Sequence, residues 1–175
     1  MQTLPSTAPR VLPRKPSPTP PVDPLALWRS LIQDGELAFE RGQDVRARQL
    51  YGDALVQAEA LFDIALRGDE EAIRRAPPVY CISCNNVVTL ARRQGDDATA
   101  SIFLYRAFAR LLAVAESRAP IAFRARCALF LDGATCALIQ HLTQIGEGDL
   151  AQDHRSRADS ALERVQRLQH MVVAQ

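Results

Sequence analysis

The sequence predicts an all-helical domain built from three antiparallel helix hairpins, and three observations carry that prediction. From Pro24 onward apolar residues recur at spacings of three and four, the signature of one helix face. No segment alternates apolar and polar residues as a half-buried strand does. The prolines beyond residue 24, Pro77, Pro78 and Pro120, fall between the periodic segments.

The first helix is read from Pro24, a tolerated first-turn proline, to Arg41, along Leu25, Trp28, Leu31, Ile32, Gly35, Ala38 and Phe39. Gly42 ends it, and Asp44 is placed to cap a second helix running to Leu66 with Ala47, Leu50, Tyr51, Ala54, Leu55, Ala58, Leu61 and Phe62 on its face. "RGDEEAIRRAPP" then reads as a connection. A third helix is expected from Pro77-Pro78 to Arg93, and a fourth from Ala98 to Glu116 after the Gly95-Asp96-Asp97 turn. The fifth, starting near Pro120, is apolar almost all round and is expected at the centre of the core. The sixth follows Gly146-Glu147-Gly148-Asp149, with Leu150, Ala158, Ala161, Leu162, Val165, Leu168 and Val172 on one stripe and a wet outer face.

Ahead of this domain, residues 1–24 hold eight of the chain's eleven prolines and almost nothing to bury. That composition predicts a disordered tail of polyproline II character, with the folded domain spanning 25–175. Its Pro-x-x-Pro spacings beside Arg10, Arg14 and Lys15 fit an aromatic groove, but a solvated spacer explains them as well.

A chain of 175 residues, nearly half of them apolar, supports one core. The formal net charge of +1 offers no excess to drive binding to nucleic acid or to an anionic membrane. With no continuous apolar run near the N-terminus, membrane insertion is not expected and a cytoplasmic location is. The four cysteines are then expected as reduced thiols.

Similar residues recur at similar offsets in the first two pairs. Gly35 is followed by Gly42-Gln43-Asp44, Ala47, Tyr51 and Ala54; Ala91 is followed by Gly95-Asp96, Ala100, Leu104 and Ala107. This pattern, clearest in "GELAFERGQDVRARQLYGDAL", resembles the tetratricopeptide repeat. The resemblance implies three hairpins stacked as a short right-handed solenoid, or their collapse into a compact bundle, with a non-catalytic role in protein recognition. The copies depart from the family in length, since Ala47 and Ala100 stand 53 positions apart against a family unit of about 34. Val88 replaces the small residue expected in the second copy and predicts a wider crossing there. The third pair, with Gly133 or Ala134 facing Ala158, Leu162 and Val165, is the weakest match.

Cys81-x-x-Cys84 is the one motif that points to chemistry. Placed in the first turns of the third helix, it sits where the helix dipole lowers a thiol pKa, which makes a redox sensor or metal site the alternative to an interaction module. It lacks the second ligand pair of a structural zinc site and the preceding strand of a thioredoxin-type motif, so small thiols at a helix contact are the expected use. His141, His154 and His170 are dispersed and show no ligand spacing. Glu36 and Glu40 read as a solvated pair, and no catalytic group, cofactor or metal is expected.

In a solenoid the first helices of each hairpin line a concave groove. The predicted partner-binding residues are therefore Asn85, Asn86, Thr89, Arg92 and Arg93 on the third helix, with Arg124 and Arg126 on the fifth. Arginine forks suit a carboxylate, and asparagine amides can pair both backbone groups of an extended peptide. Local capping and solubility would explain the same residues, and a homodimer interface around Trp28 is a further use of the apolar surface.

Overall fold

A computed structural model describes residues 23–173 of the chain. The predicted disordered tail, up to residue 22, lies outside the described residues. Six helices follow one another: α1 (Pro24–Glu40), α2 (Asp44–Leu66), α3 (Glu70–Arg93), α4 (Asp97–Glu116), α5 (Ile121–Gln144) and α6 (Gly148–Val173). No strand occurs among the described residues. Each helix packs on its chain neighbours, α3 also meets α5, and α4 meets α6, giving a bundle of three stacked hairpins.

The three hairpin turns share one construction. Gly42, Gly95 and Gly146 have φ of 70°, 68° and 86°, the left-handed conformation that only glycine adopts without strain. The following N–H closes a six-residue ring in each: Gln43 to the Ala38 carbonyl at 2.9 Å, Asp96 to Ala91 at 2.9 Å, and Glu147 to Leu142 at 2.8 Å. The hairpin is thus the repeated unit. Within the first, an added Cβ on Gly35 would stand 2.6 Å from the Tyr51 ring, so the close crossing of α1 and α2 requires a residue without a side chain. In the second, Val88 is buried in the core, and α3 and α4 pack less closely than α1 and α2.

Three expectations are corrected. The third helix begins seven residues before Pro77, because the Asp69 carboxylate caps it at the Ala72 N–H (2.8 Å) and Glu70 and Glu71 favour its first turn. Pro77 and Pro78 lie inside the helix. A proline removes the bond to the carbonyl four residues back, and Arg126 of α5 donates its Nε–H to the Arg74 carbonyl that Pro78 leaves behind (3.4 Å). Asp44 is not a cap but the first residue of α2; its carboxylate receives Arg93 and Gln94 of α3 instead. α1 starts at Pro24 as expected, with Asp23 accepting from the Leu25 N–H at 2.9 Å.

The third correction concerns α5. It meets α3, α4 and α6, but Leu129 is 71% exposed and Phe130 is half-buried, so one apolar face stays open. On α6 the buried stripe is Ala151, His154, Ala158, Ala161 and Val165, while Leu150 faces solvent. The side chain of Val172 lies outside the described residues.

Phe62, Tyr80 and Phe123 anchor the core away from the turns. Phe62 of α2 meets Tyr80 of α3 edge-on, with ring centroids 5.0 Å apart, and lies 5.4 Å from Phe123 of α5. α4 alone among the described helices is long and apolar enough to cross a membrane by length and composition. In the fold, its Ala100, Leu104, Ala107, Phe108 and Leu111 form a core face.

Candidate functional site

The first helices of the second and third hairpins leave a groove between them. Cys81 and Asn85 of α3 form one wall, Leu104 and Ala107 of α4 form the floor, and Phe130, Gly133, Ala134 and Ala137 of α5 form the other wall. The volume is about 280 Å³. It stays open because α5 presents small residues along this face: nothing stands within 4 Å of where a Cβ on Gly133 would be. No charged side chain lines it, and Asn85, exposed at its edge, brings an amide that can donate and accept.

The predicted binding residues divide around this groove. Asn85 lines it. Thr89 and Arg92 are exposed further along α3; Thr89 donates its hydroxyl to the Asn85 carbonyl at 2.9 Å, and Arg92 makes no ion pair among the described residues. Asn86 is turned partly inward, and its Nδ2 finds no protein partner.

The other three arginines are occupied within the fold. Arg93 stacks its guanidinium 3.6 Å from the Phe39 ring centroid, donates to the Phe39 carbonyl at 2.7 Å and pairs with Asp44. Arg124 donates its Nε–H to the Ala115 carbonyl at the end of α4 (3.0 Å). Arg126, besides its bond to Arg74, lies 5.2 Å from the Phe130 ring and so braces a groove wall. None of these three displays a whole fork to the groove.

The cysteines occupy the middle of α3 rather than its first turns, since the helix begins at Glu70, and the dipole argument for a reactive Cys81 falls with that. Burial pushes the Cys81 thiol up to about 11. Cys84 is pushed up to about 12, by burial first and by Cys81 beside it second. Cys127 of α5 is raised for the same two reasons. At neutral pH these are protonated, poorly nucleophilic thiols. No three His, Cys, Asp or Glu side chains among the described residues are grouped to hold a metal ion.

Two polar clusters have no sequence signature. Glu59 of α2 accepts from the Tyr80 hydroxyl at 3.0 Å and pairs with Arg106 at 3.1 Å and Arg110 at 3.2 Å, both on α4. Burial raises the Tyr80 pKa, which keeps the phenol a donor. His141 of α5 contacts the Ser101 hydroxyl of α4 at 2.6 Å, while that hydroxyl donates to the Asp97 carbonyl. Ser101 is thus held by its own helix, and the contact serves to join α4 to α5. The parts of both clusters are dozens of residues apart, and only the stacking order brings them together.

No curated protein and no solved structure matches the chain. Its six-helix domain is nevertheless matched over residues 26–172, nearly its full described length, and the chain belongs to the family described as "Protein of unknown function (DUF2753)".

Proposed function

We propose that this domain is a non-catalytic protein-interaction module, tetratricopeptide-like in its repeated hairpins, which takes a peptide segment of a partner into the groove between α3 and α5. The observation that carries the reading is the groove's make-up: small residues on α5, an aromatic wall at Phe130 and the Asn85 amide at the rim. Such a surface receives an apolar side chain while the amide pairs with the peptide backbone. The exposed Thr89 and Arg92 extend the same helix face toward the turns. The repeated turn geometry supports the reading, because stacked hairpins present their first helices side by side.

Gly133→Trp tests it. The site is exposed and has space where a side chain would grow, so the indole fills the groove and leaves the core intact. Affinity capture from native extract with the full-length wild-type chain is expected to retain specific partners that the Gly133→Trp chain, of equal helicity and melting temperature, fails to retain. Equal capture by both chains would remove the groove from the function.

A further inference from the structure

Where α4 ends, α5 begins and α6 ends, the surface holds an open depression of about 550 Å³, separate from the α3–α5 groove. Leu168 and Met171 supply its apolar lining, and Met171 is 56% exposed there. Arg124, Arg164, Arg167 and His170 surround them, and the one lining carboxylate, Glu116, is already paired with Arg164. Arg124 commits only its Nε–H, to Ala115, which leaves the Nη groups of its fork. Arg167 meets Glu163 at 3.6 Å, but both side chains are about two-thirds exposed (67% and 68%), so water screens that pair and the guanidinium is readily shared. Cationic groups therefore exceed carboxylates around an apolar floor, in a concavity of the size that small ligands occupy.

We propose that this depression binds a small carboxylate with an alkyl or aryl body, the carboxylate on Arg167 and the Nη groups of Arg124 and the apolar body on Leu168 and Met171. The planar guanidinium fork matches a carboxylate with two parallel hydrogen bonds. Charge complementarity selects an anion, and the apolar floor selects one with a hydrophobic body over acetate. An extended acidic peptide would place further charges on Leu168 and Met171, where nothing compensates their desolvation. The site stands independently of the peptide groove.

The test is a titration of the full-length 15N-labelled chain with sodium octanoate below its micelle-forming concentration, beside 1-octanol, acetate and a hexaglutamate peptide. Saturable shift changes confined to residues near 116–124 and 164–171 are expected, with octanoate binding about tenfold or more tighter than the other three probes. Arg167→Glu and Met171→Asp, both at exposed positions, are each expected to weaken octanoate by about tenfold with helicity unchanged. Shifts that are absent or spread over the whole chain overturn the proposal. So do octanol or hexaglutamate matching octanoate, and so do variants that bind as the wild type does.

Discussion

The bundle has two seams, one between the first and second hairpins and one between the second and third; both are packed directly, and their polar bonds are arranged differently. At the first, α2 packs directly on α3, with Phe62 against Tyr80, and long side chains add grouped bonds: Trp28 of α1 donates its Nε1–H to the Ser83 hydroxyl of α3 at 2.8 Å, Arg93 reaches back to Phe39 and Asp44, Arg48 meets Gln94, and Glu59 gathers Tyr80, Arg106 and Arg110. At the second, α3 meets α5 and α4 meets α6 directly, through side chains such as Cys127 and Ala158 that are fully buried. Two buried histidines belong to this seam. His141 reaches Ser101, and His154 lies 5.0 Å from the Phe108 ring and 5.5 Å from Tyr105. Both seams bury apolar area, but the first gathers its polar bonds into networks where the second has single ones, so they should respond to different perturbations.

The largest effect is expected at the second seam. Leu131 of α5 is fully buried in the core shared with α3, α4 and α6, and Leu131→Ala should lower stability by about 2–5 kcal/mol through lost burial and the cavity left behind. Denaturant unfolding measures it, and a cost below about 1 kcal/mol would show that the seam is not packed as described. At the first seam, Glu59→Ala removes the acceptor of the Tyr80 hydroxyl and one ion pair each from Arg106 and Arg110, which keep Tyr80 and Asp63. Because Glu59, Arg106 and Arg110 are 30%, 44% and 32% exposed, the expected cost is smaller, about 2 kcal/mol. Pairing it with Arg106→Ala in a double-mutant cycle should give much less than the sum, and strict additivity would dissolve the proposed network.

Trp28→Phe should cost about 1 kcal/mol, since Ser83 keeps its own bond to the Val79 carbonyl and only the indole's is lost. A loss equal to that of Leu131→Ala would mean that Trp28 contributes mainly by packing.

His154 makes the second seam sensitive to pH. Burial lowers the His154 pKa below its ordinary 6.5; Asp153 opposes the shift and Arg157 adds to it, while Tyr105 and Phe108 face the ring. The unfolded chain then binds a proton that the folded chain resists, so this contribution is complete above about pH 6.5 and is lost as pH falls below it. His154→Leu should flatten the melting-temperature profile over that window, and an unchanged slope would free His154 of the role. The smallest effect is chemical. With its thiol near 11 against an ordinary 9, Cys81 should alkylate with iodoacetamide about 100-fold more slowly than a free cysteine at pH 8. Labelling at the free rate would revive a redox reading.

The hairpins were legible because their signals are local. Gly42 and Gly95 stop helices at equal offsets, Asp96 caps the next one by accepting from the Thr99 N–H at 2.9 Å, and Gly35 lies opposite Tyr51. The start of α3 was not legible. A Pro-Pro pair is a local stop signal, but the Asp69 cap starts the helix seven residues earlier, and Arg126 of α5, 52 positions from Arg74, serves one bared carbonyl. The site was legible in part: the repeat resemblance put Asn85 on a groove-lining helix, but it could not reveal that Arg93, Arg124 and Arg126 bond to carbonyls of other helices.

By itself, then, the sequence determined six helices, their turns and the apolar stripes that had to be buried, since propensity, capping and glycine conformation act within a few residues. Tertiary structure alone decided which polar side chains are tied up inside the fold, which thiols are silenced, and where small residues leave a groove open. A polar side chain's role depends on what stands within 3 Å of it, and that is set by how the hairpins stack.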